Sequence, residues 1–353
     1  MFRNYSFNEK DPSEKHSFEI HNVDISIING IRRVLLTDIP IPGIVGEGET
    51  TIDILQNDGP LHNEIMMHRI GLLPICMTED DIETYEDNSI ELELKVSNTN
   101  IGMLNVHTGN IKGNKNGKEL TEKELVSMFP KNIATDSHIL ITRLRPSESI
   151  HFKANVVKRT ARINSAFCPV SLSNFFYMED ETVSKKAENV LDKERSYYMN
   201  KYGEATSIQF EIESINRQIG PKYLINKAFD IITKKIADIA SKLAENSPDI
   251  VITQFEELAN TYEFKILNED DTVGNIIQSI IHNTYIRNKS VDMMNCSYIG
   301  YICPHPLKYE LVIRITLENT TSPKDFSKFL QSNCITIVDH LMDIRNEWNQ
   351  FIK

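Results

Sequence analysis

The sequence contains no run of about 20 apolar residues, so no segment has the length and composition of a membrane-spanning helix. Its start, Met1-Phe2-Arg3-Asn4-Tyr5, lacks a secretory apolar core, and the chain is expected to be soluble and intracellular. Cysteine is scarce. Cys76, Cys168, Cys296, Cys303 and Cys334 are odd in number and scattered, which excludes a disulfide framework and fits a reducing compartment. No Cys-x-x-Cys occurs, so a structural zinc site of the usual spacing is not expected. Glycine-rich phosphate loops, Gly-x-Ser-x-Gly and Asp-x-Asp pairs are also missing. Basic residues are outnumbered, 38 Lys+Arg against 50 Asp+Glu for a net charge of −12, which argues against a protein that wraps nucleic acid.

What is present is ordinary globular material. Hydrophobic residues make up 40% and charged residues 25%, which excludes wholesale disorder, and 353 residues suggest two domains or one with a large insertion. In the stretch from Asp24 to Pro40, Ile27, Ile28, Ile31, Val34 and Leu35 share one helical face. Asp24 or Ser26 is available as N-cap, and Pro40 closes the helix. A shorter helix is predicted over Leu61 to Arg69, with Gly71 in a left-handed closing position and Pro74 beyond it. Between Ile90 and Val170 the period changes to two, as in Ile90, Leu92, Leu94 and Val96, so this stretch reads as mostly β. Asn110 to Gly117 reads as an exposed loop.

A strand at Phe210 to Glu213 is followed by a long helix from Pro221, whose seam is Ile225, Ala228, Ile232, Ile236, Ile239 and Leu243. Asn246-Ser247-Pro248-Asp249 breaks the pattern. The same grammar then returns: a strand at Tyr262 to Ile266, a helix capped by Asp271 or Thr272, a strand at Leu311 to Leu317, and a final helix opened by Ser322-Pro323. Its seam is Phe326, Leu330, Cys334, Ile337, Leu341, Ile344 and Trp348. The two stretches share a plan, read here as architectural and not as a residue-level repeat. A long helix cannot bury such a seam alone, so the halves are expected to pack as an intramolecular pseudo-dimer.

Several residue groups invite a functional reading. Arg32-Arg33 is either a solvated helix face or a docking surface, where forked donors are favoured. His62, Glu64 and His68 lie close in sequence, but only Glu64 and His68 are four apart, and Met66-Met67 reads as core filling. Cys303-Pro304-His305 has no second ligand pair at usable spacing. The acidic run Glu79-Asp80-Asp81, with Glu83, Glu86 and Asp87, reads as a solvated loop, and Lys112, Lys115 and Lys118 as solubilising charge.

Together these motifs resemble a known family. Ile28-Asn29-Gly30-Ile31-Arg32-Arg33-Val34-Leu35-Leu36 with Ile39-Pro40 resembles the signature helix of the alpha-type subunits of multisubunit DNA-directed RNA polymerases. His62-Asn63-Glu64 through Pro74 is similar to the second signature of the eukaryotic and archaeal third-largest subunit. Phe167-Cys168-Pro169-Val170 is similar to that subunit's aromatic-Ser-Pro-Val segment. Glu269-Asp270-Asp271-Thr272-Val273-Gly274-Asn275 and His305-Pro306-Leu307 resemble signatures of its small alpha-like partner. The chain thus looks like a natural fusion of the two, as in large DNA viruses.

The resemblance implies an α+β fold with two dimerisation modules, one over 1–39 and 172–247 and the other over 259–353. A β-rich insert would occupy 40–171 and a linker 248–258. It implies a non-catalytic assembly platform that docks the second-largest and largest polymerase subunits and holds small zinc-binding subunits. DNA would be contacted only indirectly, and no membrane at all. Arg32, Arg33 and nearby Arg162 would serve docking; Glu64, His68 and Arg69 would order the insert's docking edge. Asp271, Thr272, Gly274 and Asn275 would form the second signature helix, with Asp271, Thr272 and Asn275 capping and packing it. No cofactor and no metal are expected, because the region after Pro74 holds only Cys76, where cellular relatives often carry a cysteine cluster. The family's basic residue before the aromatic-Pro-Val segment is Ala166 here. Localisation would be virion and host cytoplasm for a viral enzyme, otherwise the nucleus. A freestanding metal-dependent α+β enzyme and a freestanding homodimeric scaffold are the alternatives.

Overall fold

A computed structural model describes residues 1–7, 15–288, 295–318 and 322–352. The first half opens with β1 (Phe2–Ser6), β2 (His16–His21) and α1 (Ile25–Thr37). After a long insert it resumes with β3 (Val170–Tyr177), β4 (Ser207–Ser214) and α2 (Pro221–Glu245). The second half has β5 (Ile250–Gln254), β6 (Thr261–Leu267), α3 (Asp271–Ile281), β7 (Cys296–Ile302), β8 (Glu310–Leu317) and α4 (Pro323–Phe351). Apart from two short helices, Glu181–Ser184 and Val190–Glu194, between β3 and β4, both halves read β-β-α-β-β-α. Each forms a four-stranded antiparallel sheet of the same connectivity, β1-β2-β4-β3 in one and β5-β6-β8-β7 in the other.

The repeat extends to individual residues, contrary to the architectural reading above. At one constant spacing, Phe18, Ile20, Asn22, Asp24, Ser26, Ile27, Asn29 and Ile31 are answered by Phe264, Ile266, Asn268, Asp270, Thr272, Val273, Asn275 and Ile277. Each residue type has a local reason. Phe18 and Phe264 point from the second strand into the core, both essentially fully buried. Asn22 and Asn268 take the left-handed backbone (φ 56° and 64°) that turns strand into helix, a conformation asparagine tolerates. Asp24 and Asp270 are the N-caps, accepting from the amides of Ser26 and Thr272. The second signature helix is thus capped by Asp270, not by Asp271 or Thr272.

The helices lie between and across the two sheets. All the apolar seam positions of α2 and α4 are buried. The pair runs antiparallel, because Asn226 near the start of α2 donates to Asn349 near the end of α4 (2.8 Å), and Asp230 meets Arg345 (2.8 Å). Helix α4 begins on its own sheet, where Phe326 packs on Tyr262, and ends on the other, where Trp348 meets Phe18 and Phe2 at 4.8 and 5.2 Å between ring centres. Helices α1 and α3 cross in the same antiparallel sense. The pseudo-two-fold arrangement expected from the seams is the architecture of the chain.

The insert holds a five-stranded sheet ordered Ile52–Asn57, Ser149–Asn155, Ile90–Ser97, Lys112–Lys115, Lys118–Glu119, with helices at Asn63–Gly71, Glu79–Glu83 and Glu122–Met128. Four local expectations change. Residues 112–119 form an edge hairpin instead of a loop, because Asn116-Gly117 (φ 51° and 83°) supplies the two left-handed positions of a tight turn. Gly71 is not left-handed; it is required because a side chain there would strike the backbone of Gly46 at 2.8 Å. Part of the expected linker, Ile250–Gln254, is strand β5, and Asn246 (φ 51°) ends α2. The acidic run is anchored and not merely solvated. Glu83 accepts from Tyr223 (2.6 Å) and Lys227 (2.7 Å) of α2, and Asp87 accepts from Arg159 and the Lys158 amide.

Each buried Leu or Ile of the seam contributes about 1.5–3 kcal/mol relative to exposure, and a charge placed there lacks any partner. The combined substitution Ile232→Asp and Ile236→Asp should therefore unfold or aggregate the chain, whereas the parent sediments as a monomer. Analytical ultracentrifugation checks both, and a stable monomeric variant would contradict the pairing.

Candidate functional site

The crossing of α1 and α3 is where the two halves and the insert meet. At one end of it, Asp24 caps its own helix and also accepts from Ser279 (3.0 Å to each oxygen) and Asn283 (2.8 Å) of the second half. At the other end, Asp38 at the close of α1 gathers cations. Lys235 of α2 lies 2.9 Å from one oxygen, and Arg162 of the insert lies 2.7 Å from the other. The same Arg162 nitrogen reaches Asp270, the cap of α3, at 2.9 Å, and the guanidinium lies 5.8 Å from the centre of the Tyr309 ring. One arginine thus ties the insert to both halves. The geometry gives Arg162 an internal role.

The electrostatics follow from burial and pairing together. Burial alone would raise the Asp38 carboxyl, but Lys235, Thr37 and Arg162 hold it below its ordinary value. Asp270 is likewise held down against its burial, by Arg162 and Lys235. Glu269 has no hydrogen-bonded cation. Burial pushes its carboxyl up to about 7 although Lys235 stands 4.0 Å away, and its Oε2 is buried without a hydrogen bond among the described residues. Three carboxyls share two cations, and Glu269 is the one left over.

Arg32 and Arg33 sit half-buried on α1 beside this junction. Arg32 donates to Asn29 (3.0 Å), and burial with the neighbouring Arg33 charge lowers its pKa. Arg33 exerts its charge on Tyr301 and Cys303 of the second half. Neither arginine has a carboxylate ion-pair partner among the described residues. Beside Arg33, the Cys303 thiol is pushed up to about 12 by burial and by its hydrogen bond to Asp271. Asp271 is therefore a thiol acceptor, one position past the cap.

The other candidate residues divide by what they bond. Glu64 and His68 are exposed on the helix Asn63–Gly71. Arg69 instead donates to the carbonyls of Ile141 and Leu140 (3.0 Å each), stapling that helix to the strand Leu140–Leu144. Met66 is core and Met67 half-buried. Thr272 and Gly274 are buried, and Asn275 is half-buried beside Asp24 in a polar cavity of about 540 Å³. Gly274 lets α3 settle on its sheet, since a side chain there would strike Leu311 at 2.5 Å. No group of three or more His, Cys, Asp or Glu is placed to hold a metal among the described residues. Sequence reading missed Asp38, Lys235, Ser279 and Asn283, and gave Asp24 only as a candidate cap of its own helix. The aligned repeat would have exposed Asp24, because it occupies the same position as Asp270.

Comparison with known proteins agrees with this architecture. Two profiles, each described as the RNA polymerase Rpb3/Rpb11 dimerisation domain, match residues 17–236 and 261–345. The chain belongs to that family. Similar proteins include the "Conjugation stage-specific protein" of Tetrahymena thermophila, 24% identical over 203 residues, 53% of this chain and 63% of the relative. The "DNA-directed RNA polymerases I and III subunit RPAC1" of Saccharomyces cerevisiae is 25% identical over 181 residues, 45% of this chain and 52% of the relative. The "DNA-directed RNA polymerase subunit Rpo3" of Methanosphaera stadtmanae is 30% identical over 155 residues, 43% and 52%. The chain spans between half and two thirds of the length of these curated relatives.

Glu269 makes stability depend on pH. Its folded pKa of about 7 exceeds its ordinary 4.5, so the folded chain holds the extra proton between these values. The contribution is full below pH 4.5 and is lost as pH rises to 7, at a cost of up to about 3 kcal/mol. Asp38 and Asp270, held low, lose their contributions only below their ordinary 3.8 and leave this window clear. Glu269→Gln should flatten the slope and exceed the parent's stability at pH 8. Urea unfolding at pH 5 and pH 8 checks it, and an unchanged slope would refute the assignment.

Proposed function

We propose that this chain is a non-catalytic assembly platform of a DNA-directed RNA polymerase, carrying in one polypeptide the pair of alpha-like modules on which the large subunits dock. The observation that carries the proposal is the pairing itself: two modules of the Rpb3/Rpb11 dimerisation family, of equal connectivity, packed across a pseudo-two-fold axis within one chain. Relatives whose names place them in RNA polymerases I and III, or in an archaeal RNA polymerase, support the choice of machine.

Within that proposal Arg32 and Arg33 face the second-largest subunit. Half-buried arginines without an internal carboxylate suit a forked contact with a partner's carboxylates or carbonyls. Exposed Glu64 and His68 would belong to the insert's docking edge, while Arg69 and Arg162 are spent inside the chain. The largest subunit and small zinc-binding subunits complete the proposed set of partners, with DNA held by them and not by this acidic chain. The presence of both modules in one chain favours a large DNA virus as source, with action in virion and host cytoplasm; a cellular source would place it in the nucleus.

Affinity purification of the tagged chain from its native source, followed by mass spectrometry, should recover the two largest polymerase subunits. Combined Arg32→Gln and Arg33→Gln, which add no charge at these half-buried positions, should reduce their recovery at least tenfold while leaving the chain folded and monomeric. Purification without either large subunit would overturn the proposal.

A further inference from the structure

The residue repeat fixes which positions face themselves across the pseudo-two-fold axis. In a true two-fold interface a residue on the axis meets its own copy. Gly30 and Ile276 occupy the same place in the repeat, two positions after Ile28 and Gly274 and one after Asn29 and Asn275. They also touch. A Cβ built on Gly30 would lie 2.8 Å from Cδ1 of Ile276, with Ile232 of α2 at 3.6 Å. The axis therefore runs between a residue with no side chain and one with a branched side chain, Ile276 being fully buried.

The sizes are transposed within each helix. In α1 the large residue, Ile28, lines the core beside Phe18, Phe210 and Ile225, and the small one, Gly30, faces the axis. In α3 the small residue, Gly274, faces its own sheet at Leu311 and Tyr301, and the large one, Ile276, faces the axis. Helix α3 is thereby seated low on its sheet and sends its bulk across, where α1 is cut away to receive it. Two first halves paired alike would set glycine against glycine and leave a void. Two second halves would set isoleucine against isoleucine in a space sized for one.

We propose that the Gly30–Ile276 contact is the specificity determinant of this interface, making each half select the unlike half and reject its own kind. The inference rests on the intrachain pairing described above and goes beyond it by naming the residues that discriminate. The principle is that selectivity comes from clashes and voids built against the wrong partner as well as from fit to the right one.

The test is an exchange in the full-length chain. Gly30→Ile alone overfills the axis and Ile276→Gly alone empties it, so each should lower the melting midpoint by about 5 °C or more. Light scattering should show self-associated species for both that the parent lacks. The double variant Gly30→Ile with Ile276→Gly restores one large and one small residue, and should recover at least half of the summed loss and the monomeric mass. Gly30→Ala, whose methyl would be crowded only by the flexible terminal carbon of Ile276, should stay within about 3 °C of the parent. A double variant no better than the sum of the singles would overturn the proposal, as would Gly30→Ile behaving like the parent or Gly30→Ala failing as badly as Gly30→Ile. A dimeric parent would instead defeat the intrachain pairing, whatever the exchange showed.

Discussion

The constraint on which the rest of the molecule depends is the burial of two long helix seams that no single module can cover. Each of α2 and α4 carries an apolar stripe along its whole length, and each sheet is only four strands wide. A stripe of six or seven apolar side chains left in water would forfeit an amount comparable to a typical domain's entire stability. Antiparallel packing of the two helices removes both stripes at once, and Trp348 shows how far the dependence reaches. The last turns of the second half complete the first half's core by packing on Phe18 and Phe2. Neither half has a closed core without the other.

This constraint was legible in the sequence because it is periodic. Seams repeating every three or four residues survive as a pattern whatever the fold does around them, and so do alternating strands such as Ile90 to Val96. The features that were not legible depend on single positions meeting at a distance. Asp38 reads as an ordinary helix-end carboxylate until Lys235 and Arg162, far away in sequence, are brought to it. Gly71 has the spacing of a helix-closing glycine, yet it is needed for a close approach to Gly46, which no local rule anticipates. The hairpin at 112–119 was hidden by composition, since Lys, Asn and Gly suit both a loop and an exposed edge strand guarded by lysines. Asn116-Gly117 was the available signal. The repeat linking Phe18 with Phe264 was present throughout, but alternate positions differ so freely that a search for similar runs passes over it.

The junction of α1, α3 and the insert uses a different physics from the seam. Burying charges does not stabilise a fold merely by pairing them, because desolvation consumes most of the attraction. What the Asp38–Arg162–Asp270 bridge offers is geometry. Arg162 holds two carboxylates with one planar fork, so the insert sits correctly only when both helix ends are in place. The opposite end of the crossing, where Asp24 takes Ser279 and Asn283, is joined by hydrogen bonds without an arginine. The pseudo-symmetry is broken at the end where the insert attaches. That gives the paired modules a defined polarity, with Arg32 and Arg33 on the helix that ends at the bridge.

Joining the modules in one chain changes what the interface must do. Two separate subunits pair at a rate and extent set by concentration, and part of their contact energy offsets lost translational and rotational freedom. A covalent link replaces that cost with loop closure, which grows only slowly with length. Proximity is then assured, but proximity does not discriminate. During folding, a first half exposes the same seam to its own second half and to the like half of a neighbouring chain, and the seam itself, apolar on both helices, accepts either. Discrimination has to come from a position that like halves cannot satisfy, and on a pseudo-two-fold axis that is a position meeting its own counterpart. Gly30 opposite Ile276 is such a position, so the residue of α1 without a side chain decides which halves pair, while the seam supplies the stability.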